Sequence, residues 1–487
     1  MSRARRLGGA LAVVALGVAL LLALQPGLRK RLAVVLGLRA GPVRVVEWSV
    51  EPPAPAAPRH ALLIVVDTLR ADAVARAHTP HLDAFAAAGQ APTRAWSPST
   101  WTAPAVFSLF TGQHVRAHGW NEPFPRFLRR AGETYPNAPA TPFLAEVLTG
   151  AGFSTAGYYN NALLGAGLGH NRGFARWERR TDREMPAALA AEVAAWPAVG
   201  DPSGPRHFVY LHLHGPHSPL KPSRVAAARW RVPGAARTLR GLGLHAARQM
   251  GPARVAAYHR AYHAVVEDQD RLFGRILDAL GPHRADTAIV FTSDHGEMLG
   301  EHGLMGHEHH VFEALTHVPW IGRGGPVRVP ATLSTAATAD FLTRALGVPA
   351  TWDVRADAPG PLVSQREGRL AVSPDGRLKG IWGEDLLPGP APAAFDLTLD
   401  PAEDGALAGP SAEAARAELD AARAGFEAAV PERRLPRVAA PMDADLQATL
   451  AALGYMDDPN AGPGPAADGA AAARGGAGAT DTAAPTP

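Results

Sequence analysis

The chain contains no cysteine in 487 residues. That excludes disulfides, thiolate metal sites and a cysteine nucleophile. It says nothing about compartment, because an exported protein can do without disulfides. Excess charge is also missing: 48 Lys and Arg face 45 Asp and Glu, a net charge of +3 with histidine neutral. No basic patch is interleaved with aromatics, so nucleic acid is not expected as a partner. No internal repeat is found. What is present suits a globular protein, with 47% hydrophobic and 19% charged residues. The 50 glycines and 45 prolines point to many loops and some unfolded sequence.

Only one uncharged apolar run is long enough to matter for a membrane. It extends from Leu7 to Leu24, with Arg3, Arg5 and Arg6 before it and Arg29-Lys30-Arg31 after it. Residues 1–31 therefore read as an uncleaved membrane anchor, since no small-x-small cleavage site follows. The membrane is thus an expected partner through this segment. Residues 32–59 read as a linker, semi-rigid where it becomes proline-rich. From residue 457 to 487 the chain is Ala, Gly, Pro and Thr with few bulky residues, and it is expected to be disordered.

Between these ends the pattern is α/β. Ala61–Val66 is a continuous apolar run, as expected of a strand buried on both faces of a parallel sheet. His207–Leu213 and Thr287–Thr292 are further strand candidates. Thr141–Ala151 and Ala256–Leu280 read as helices between them. Alternating strands and helices predict a mostly parallel central sheet with helices around it, over residues 60–350. Residues 351–456 read as a smaller α+β subdomain. It has short strands at Arg369–Val372 and Leu378–Trp382, and helices at Ser411–Val430 and Asp443–Leu453.

In an open α/β sheet, ligands gather beyond the carboxyl ends of the strands. Asp67 ends the first strand, and Asp294-His295 follow the Thr287–Thr292 strand. Oxygen and nitrogen donors converging on one edge suit a divalent cation. An Asp at a strand end can equally be a turn residue. The stretch Ser97–Gly112 reads as a short helix from about Pro104 to Phe110, with Gly112 just past its end. Its N-terminus would favour an anion near Thr102. Thr102 is then either a helix cap or a nucleophile, and a metal on its oxygen is the usual means of activating a neutral hydroxyl.

Five stretches make the chain similar to the sulfatase family of the alkaline phosphatase superfamily. They are Leu62–Asp72, Thr102–Gly112 with His118-Gly119, Gly215-Pro216-His217-Ser218-Pro219, Thr292–Gly303, and Phe395-Asp396-Leu397 with Asp400-Pro401-Ala402-Glu403. Leu453-Gly454-Tyr455 adds to these. The resemblance implies an alkaline-phosphatase-like sandwich and an anionic ester substrate. It assigns Asp67, Asp294 and His295 to a divalent metal (Ca, Mg, Mn or Zn) and places Thr102 where the family's nucleophile stands. His217 matches the histidine that contacts the ester or helps the leaving group. His307 falls near a basic substrate-binding residue of many members, or belongs to a surface cluster with His309 and His310.

The departures are as informative. The family converts a cysteine or serine to formylglycine, and threonine cannot follow that route, so no formylglycine is expected. Val106 replaces the arginine expected four residues later, and Thr68 replaces a second metal-binding aspartate. Tyr158-Tyr159-Asn160-Asn161 lies where a lysine-x-histidine is expected. Asn161 there can hydrogen-bond an ester oxygen or serve as an ordinary turn residue. Threonine at the nucleophile position resembles the phosphoryl-transferring branches, which also carry an N-terminal membrane region. The expected function is a metal-dependent hydrolase or transferase of sulfate, phosphate or phosphonate esters. The alternative is a degenerate member that binds such an ester without turnover. Basic residues on the downstream flank of the anchor would keep the main domain in the cytoplasm. The resemblance favours an extracytoplasmic, periplasmic domain, and that is the expectation adopted.

Overall fold

The computed structural model describes residues 57–121, 134–136, 138–165, 167–233, 251–307, 310–384, 387 and 391–439. The anchor at 1–31, nearly all of the linker, the Asp443–Leu453 helix and the 457–487 tail lie outside these. Among the described residues no helix is long and apolar enough to cross a membrane.

The expected mostly parallel sheet is present. It comprises β1 (His60–Val66), β2 (Phe153–Tyr159), β3 (Arg176–Arg179), β4 (Arg206–Leu213), β5 (Thr287–Ser293) and β6 (Trp320–Arg323). Their order across the sheet is β6-β5-β1-β4-β2-β3, parallel except for the edge strand β6. The apolar run of β1 shows why it need not alternate. Ala61, Leu63 and Val65 enter one core, and Leu62, Ile64 and Val66 enter a second core on the other face. Each face is apolar because each is covered.

Helix α1 (Thr102–Thr111) lies in the first core with all ten residues buried. It starts two residues before the expected Pro104. Trp101 stands at the N-cap, and no side chain caps the helix. Thr102 is thus the first helical residue, not the cap. Gly112 ends the helix at φ +62°, as its placement predicted, and a Cβ there would lie 2.8 Å from the Trp352 ring. The long helix α2 (Pro252–Ala279) faces the second core. It begins four residues early, with Pro252 in the first turn, where its missing N–H matters little. The helix expected from Thr141 begins only at Leu144. Pro142 turns Thr141 away from helical geometry, and Glu146 accepts the Phe143 N–H at 2.9 Å to start the helix there.

The C-terminal strands β7 (Leu362–Arg366), β8 (Arg369–Ser373), β9 (Leu378–Trp382) and β10 (Ala393–Asp396) form an antiparallel sheet in chain order. Helix α3 (Pro410–Ala429) covers one face through Ala415, Leu419 and Phe426. The other face packs on Trp96, Val311, Phe312 and Leu315. Buried Lys379 joins the two parts, with its Nζ 2.8 Å from Glu403 and 3.6 Å from Glu313. That contact gives Glu403 of the Asp400–Glu403 motif a physical role.

Candidate active site

Because β1 and β5 are neighbours, with Val66 opposite Ser293, their ends bring Asp67 and Asp294 together. Oxygens of these two carboxylates and Nε2 of His212 lie within 4.8 Å of one another, all fully buried. Asp294 Oδ1 accepts the N–H groups of Thr68 at 3.2 Å and His295 at 2.9 Å. Among the described residues, Asp67 Oδ1, Asp294 Oδ2 and His212 Nε2 have no hydrogen-bond partner. Buried anionic oxygens left this way are costly, and a divalent cation would compensate them. His295 supports the same fit. Its Nδ1 donates to Gly296 O at 2.9 Å, which leaves the Nε2 lone pair facing the carboxylates. Nε2 lies 3.5 Å from Asp294 Oδ2 and 3.7 Å from Asp67 Oδ1. The donors present therefore fit a divalent cation.

Electrostatics agree. Burial pushes the Asp294 carboxyl well above the usual range, and the Asp67 charge adds to it. Burial also acts upward on Asp67, but His217, His212 and His295 outweigh it and hold its pKa down. Without a cation, two facing carboxylates cannot both be ionised cheaply.

His212 was not expected from the sequence. The only signal was a polar side chain near the end of an apolar strand. Its register opposite Val65 carries it to Asp67. Its Nδ1 is 2.7 Å from the Tyr210 hydroxyl. The direction of that hydroxyl proton decides whether Nε2 offers a lone pair to a cation or an N–H to the carboxylates. Thr68, in place of the second aspartate, sits at φ +58°, a costly conformation for a β-branched residue.

Thr102 Oγ1 lies 3.5 Å from His295 Nε2 and accepts from Asn161 Nδ2 at 3.2 Å. The same Asn161 amide donates to Asp67 Oδ2 at 2.6 Å. Asn161 also accepts the Leu163 N–H at 2.8 Å, so it serves the local turn as well as the site. Two neighbouring hydroxyls are engaged elsewhere: Ser99 donates to Gln365 O at 3.0 Å, and Thr100 donates to His310 O at 2.7 Å. Val106 is buried in the first core, so its side chain offers the site no charge.

His217 and His307 flank this group, their rings 5.1 Å apart. His307 is only 8% exposed, with its ring 4.5 Å from His295 and Nδ1 3.4 Å from Glu297. It is therefore not a surface residue. His310 turns away to Glu384 at 2.7 Å, and His309 lies outside the described residues. The turn carrying His217 crosses Asp67 closely. Gly215 has φ +57°, and a Cβ on it would lie 2.5 Å from Val66 Cγ1 and 2.8 Å from Asp67 O. Gly215→Ala is expected to destabilise the protein by roughly 2–3 kcal/mol, read from a denaturant melt.

A second cluster, His60, His283 and Asp286, lies at the opposite end of the sheet. His60 Nδ1 accepts the His207 N–H at 3.2 Å, which puts the ring proton on Nε2 and leaves no lone pair for a cation. The ring instead stacks on Trp196 at 4.2 Å.

This sheet, with acidic groups and a helix-borne hydroxyl at its carboxyl edge, has the architecture of the alkaline phosphatase superfamily. Within that superfamily the chain belongs to the sulfatase family, whose model matches residues 59–348. A 67-residue stretch is 37% identical to the uncharacterized sulfatase YidJ of Escherichia coli (strain K12), covering 14% of each protein. The matched stretch thus spans about one seventh of that relative's length. Among solved structures, the fold resembles a Bacteroides thetaiotaomicron protein provisionally named a sulfatase. There the TM-score is 0.59 at 16% identity, covering 80% of this chain and 96% of that one. It also resembles a phosphonate monoester hydrolase from Silicibacter pomeroyi. Here the TM-score is 0.54 at 20% identity, with 77% and 96% of the two chains covered.

Proposed function

We propose that this sulfatase-family hydrolase is metal-dependent, uses Thr102 as its nucleophile without formylglycine, and prefers phosphate or phosphonate esters to sulfate esters. Transfer to a second alcohol is the same chemistry with a different acceptor. The observation that carries the reading is the placement of Thr102 Oγ1 beside His295 Nε2 and Asn161, next to two buried carboxylates with unpartnered oxygens. Asp67, Asp294 and His295 would hold the cation, with His212 beside them. A bound divalent cation supplies a Lewis acid that lowers the hydroxyl pKa and neutralises charge on the ester.

The chain's own residues supply the rest. The α1 N-terminus favours an anion at Thr102. Asn161 holds the threonine oxygen in place. Oγ1 gives up its proton to solvent as it attacks phosphorus, the bond to the leaving oxygen breaks, and His217 gives that oxygen a proton. His307, backed by Glu297, lies where it can contact the ester. Water or another alcohol then attacks the phosphorus of the threonyl ester and loses a proton to solvent, the bond from phosphorus to Oγ1 breaks, and Oγ1 takes up a proton to restore the Thr102 hydroxyl. A threonyl sulfate would lack the aldehyde route by which the family releases sulfate, so phosphorus esters are favoured.

The test is turnover by the purified full chain with Mn²⁺, Zn²⁺, Mg²⁺ or Ca²⁺ on aryl phosphate, phosphonate and sulfate esters. Turnover of a phosphorus ester that chelator abolishes and metal restores is the expected result. A rate no higher than that of Thr102→Ala on every ester would instead establish the binding-only reading, which Thr68 and Val106 favour. We further place the catalytic part outside the cytoplasm, anchored by residues 1–31. A reporter fused after Pro487 and active only in the cytoplasm would overturn that placement.

A further inference from the structure

Three neighbouring strands, β4, β2 and β3, end side by side at the carboxyl edge of the sheet. The segment after β2 carries Asn160-Asn161. The segment after β4 carries His214-Gly215 and leads to His217. The segment after β3 carries Asp182, which no motif in the sequence singles out. Asp182 Oδ1 accepts the His214 N–H and the Asn160 side-chain amide, both at 2.8 Å. Its Oδ2 accepts the Gly215 N–H and the Gln269 side-chain amide, both at 3.3 Å. A carboxylate offers about four lone-pair sites, and all four are used here. Among the described residues no ion pair to Asp182 is formed. Its charge is held by neutral N–H donors, an arrangement that fixes geometry.

We propose that Asp182 is a positioning residue that fixes the two sides of the reaction site relative to each other. This rests on the reading of the site given above. One side is Asn161, adjacent to Asn160, with its amide on Thr102 Oγ1. The other is His217, at the end of the turn that Asp182 grips through His214 and Gly215. Gln269 ties the same carboxylate to the long helix α2. Asp182 thus acts through Asn161 and His217 without touching the ester. It also lines an open cleft of about 680 Å³ with Arg183, Lys221 and Gln269. Water can enter from that side and meet the donors left by a truncation, so the chain should fold without the carboxylate.

The experiment uses the full chain loaded with Mn²⁺. Asp182→Ala frees all four donors. A displacement of about 1 Å in such a site costs on the order of 100-fold in rate. The expected result is a fall of that size in kcat, with KM, Mn²⁺ stoichiometry and melting temperature nearly unchanged. Asp182→Asn keeps Oδ1 for Asn160 and His214, and Gln269 can turn its amide to offer Oε1, an atom without a partner among the described residues. This conservative variant is expected to retain kcat within about tenfold. Amide hydrogen exchange at His214 should quicken in Asp182→Ala and stay slow in Asp182→Asn, whereas Gly215, whose N–H loses its acceptor oxygen in both variants, should quicken in both.

An unchanged kcat in Asp182→Ala overturns the proposal. So does a loss of kcat that only follows loss of bound Mn²⁺ or of folded protein, because that is a structural role. If the wild-type chain turns over no ester, the functional reading fails and exchange alone decides. Selective loss of protection at His214 in Asp182→Ala then supports the positioning role, and unchanged exchange overturns it.

Discussion

Thr102→Ala is expected to lower turnover on the preferred ester by about 10⁴-fold or more, as removal of a nucleophile does elsewhere. Thr102→Ser, which keeps the hydroxyl, is expected to stay within about tenfold of the native rate. The structural consequence of the alanine change is small. Oγ1 accepts one hydrogen bond from Asn161, whose amide keeps its stronger contact to Asp67 at 2.6 Å. The loss should be about 1 kcal/mol of stability, read from a denaturant melt. A large kinetic effect with a small stability effect is the signature of a reacting group. The competing view makes Thr102 only part of the helix start. That view predicts equal, modest effects on folding and rate, and no advantage for serine over alanine. The structure weighs against it, because Trp101 occupies the N-cap and the Thr102 side chain caps nothing. Native-like turnover by Thr102→Ala would remove the nucleophile from the proposed mechanism.

Much of this was legible in the sequence because it rests on local pattern. The run Ala61–Val66 lacks alternation, and only a strand covered on both faces tolerates that. Asp67 and Asp294 follow strands that the pattern located to within one residue, and parallel neighbours bring such ends to one edge. His212 and Asp182 were not legible. Each acquires its place from which strand lies beside which, a long-range pairing that spacing along the chain does not carry. Asn161 lay between. Its position was flagged, but an asparagine in a turn has the same local signature whether or not its amide reaches a carboxylate. His307 was ambiguous for the same reason, since a run of histidines reads alike at a surface and in a cleft.

Acid is expected to destabilise this protein through three buried histidines, two of which lie against the helix that carries Thr102. His60, His118 and His170 are fully shielded from solvent. Burial is the main cause that pulls each of their pKa values down from 6.5 to about 3. For His60, the nearby His207 and His283 add to it. In the unfolded chain these rings titrate near the ordinary value, so between pH 6.5 and about 3 the unfolded state binds more protons than the folded one. Stability therefore falls as pH drops through that window and is insensitive to these groups above it. Below about pH 5.5 each ring contributes a slope of about 1.4 kcal/mol per pH unit, or about 4 kcal/mol per unit for the three. His170 and His118 lie against α1: His170 stacks on Phe107 at 4.0 Å and contacts Ala103 O at 3.1 Å, and His118 Nε2 is 3.0 Å from Ser108 Oγ. Their protonation would release the helix that carries Thr102. Denaturant melts from pH 7.5 to 4.5 measure the slope. His170→Phe, which preserves the stack, should cost about 1–2 kcal/mol at pH 7.5 and reduce the acid slope by about one proton. A slope unchanged in that variant, or stability flat between pH 6.5 and 4.5, would show that these histidines do not control the acid limit. Loss of activity in acid would then have to be sought in the carboxylates and histidines around Thr102.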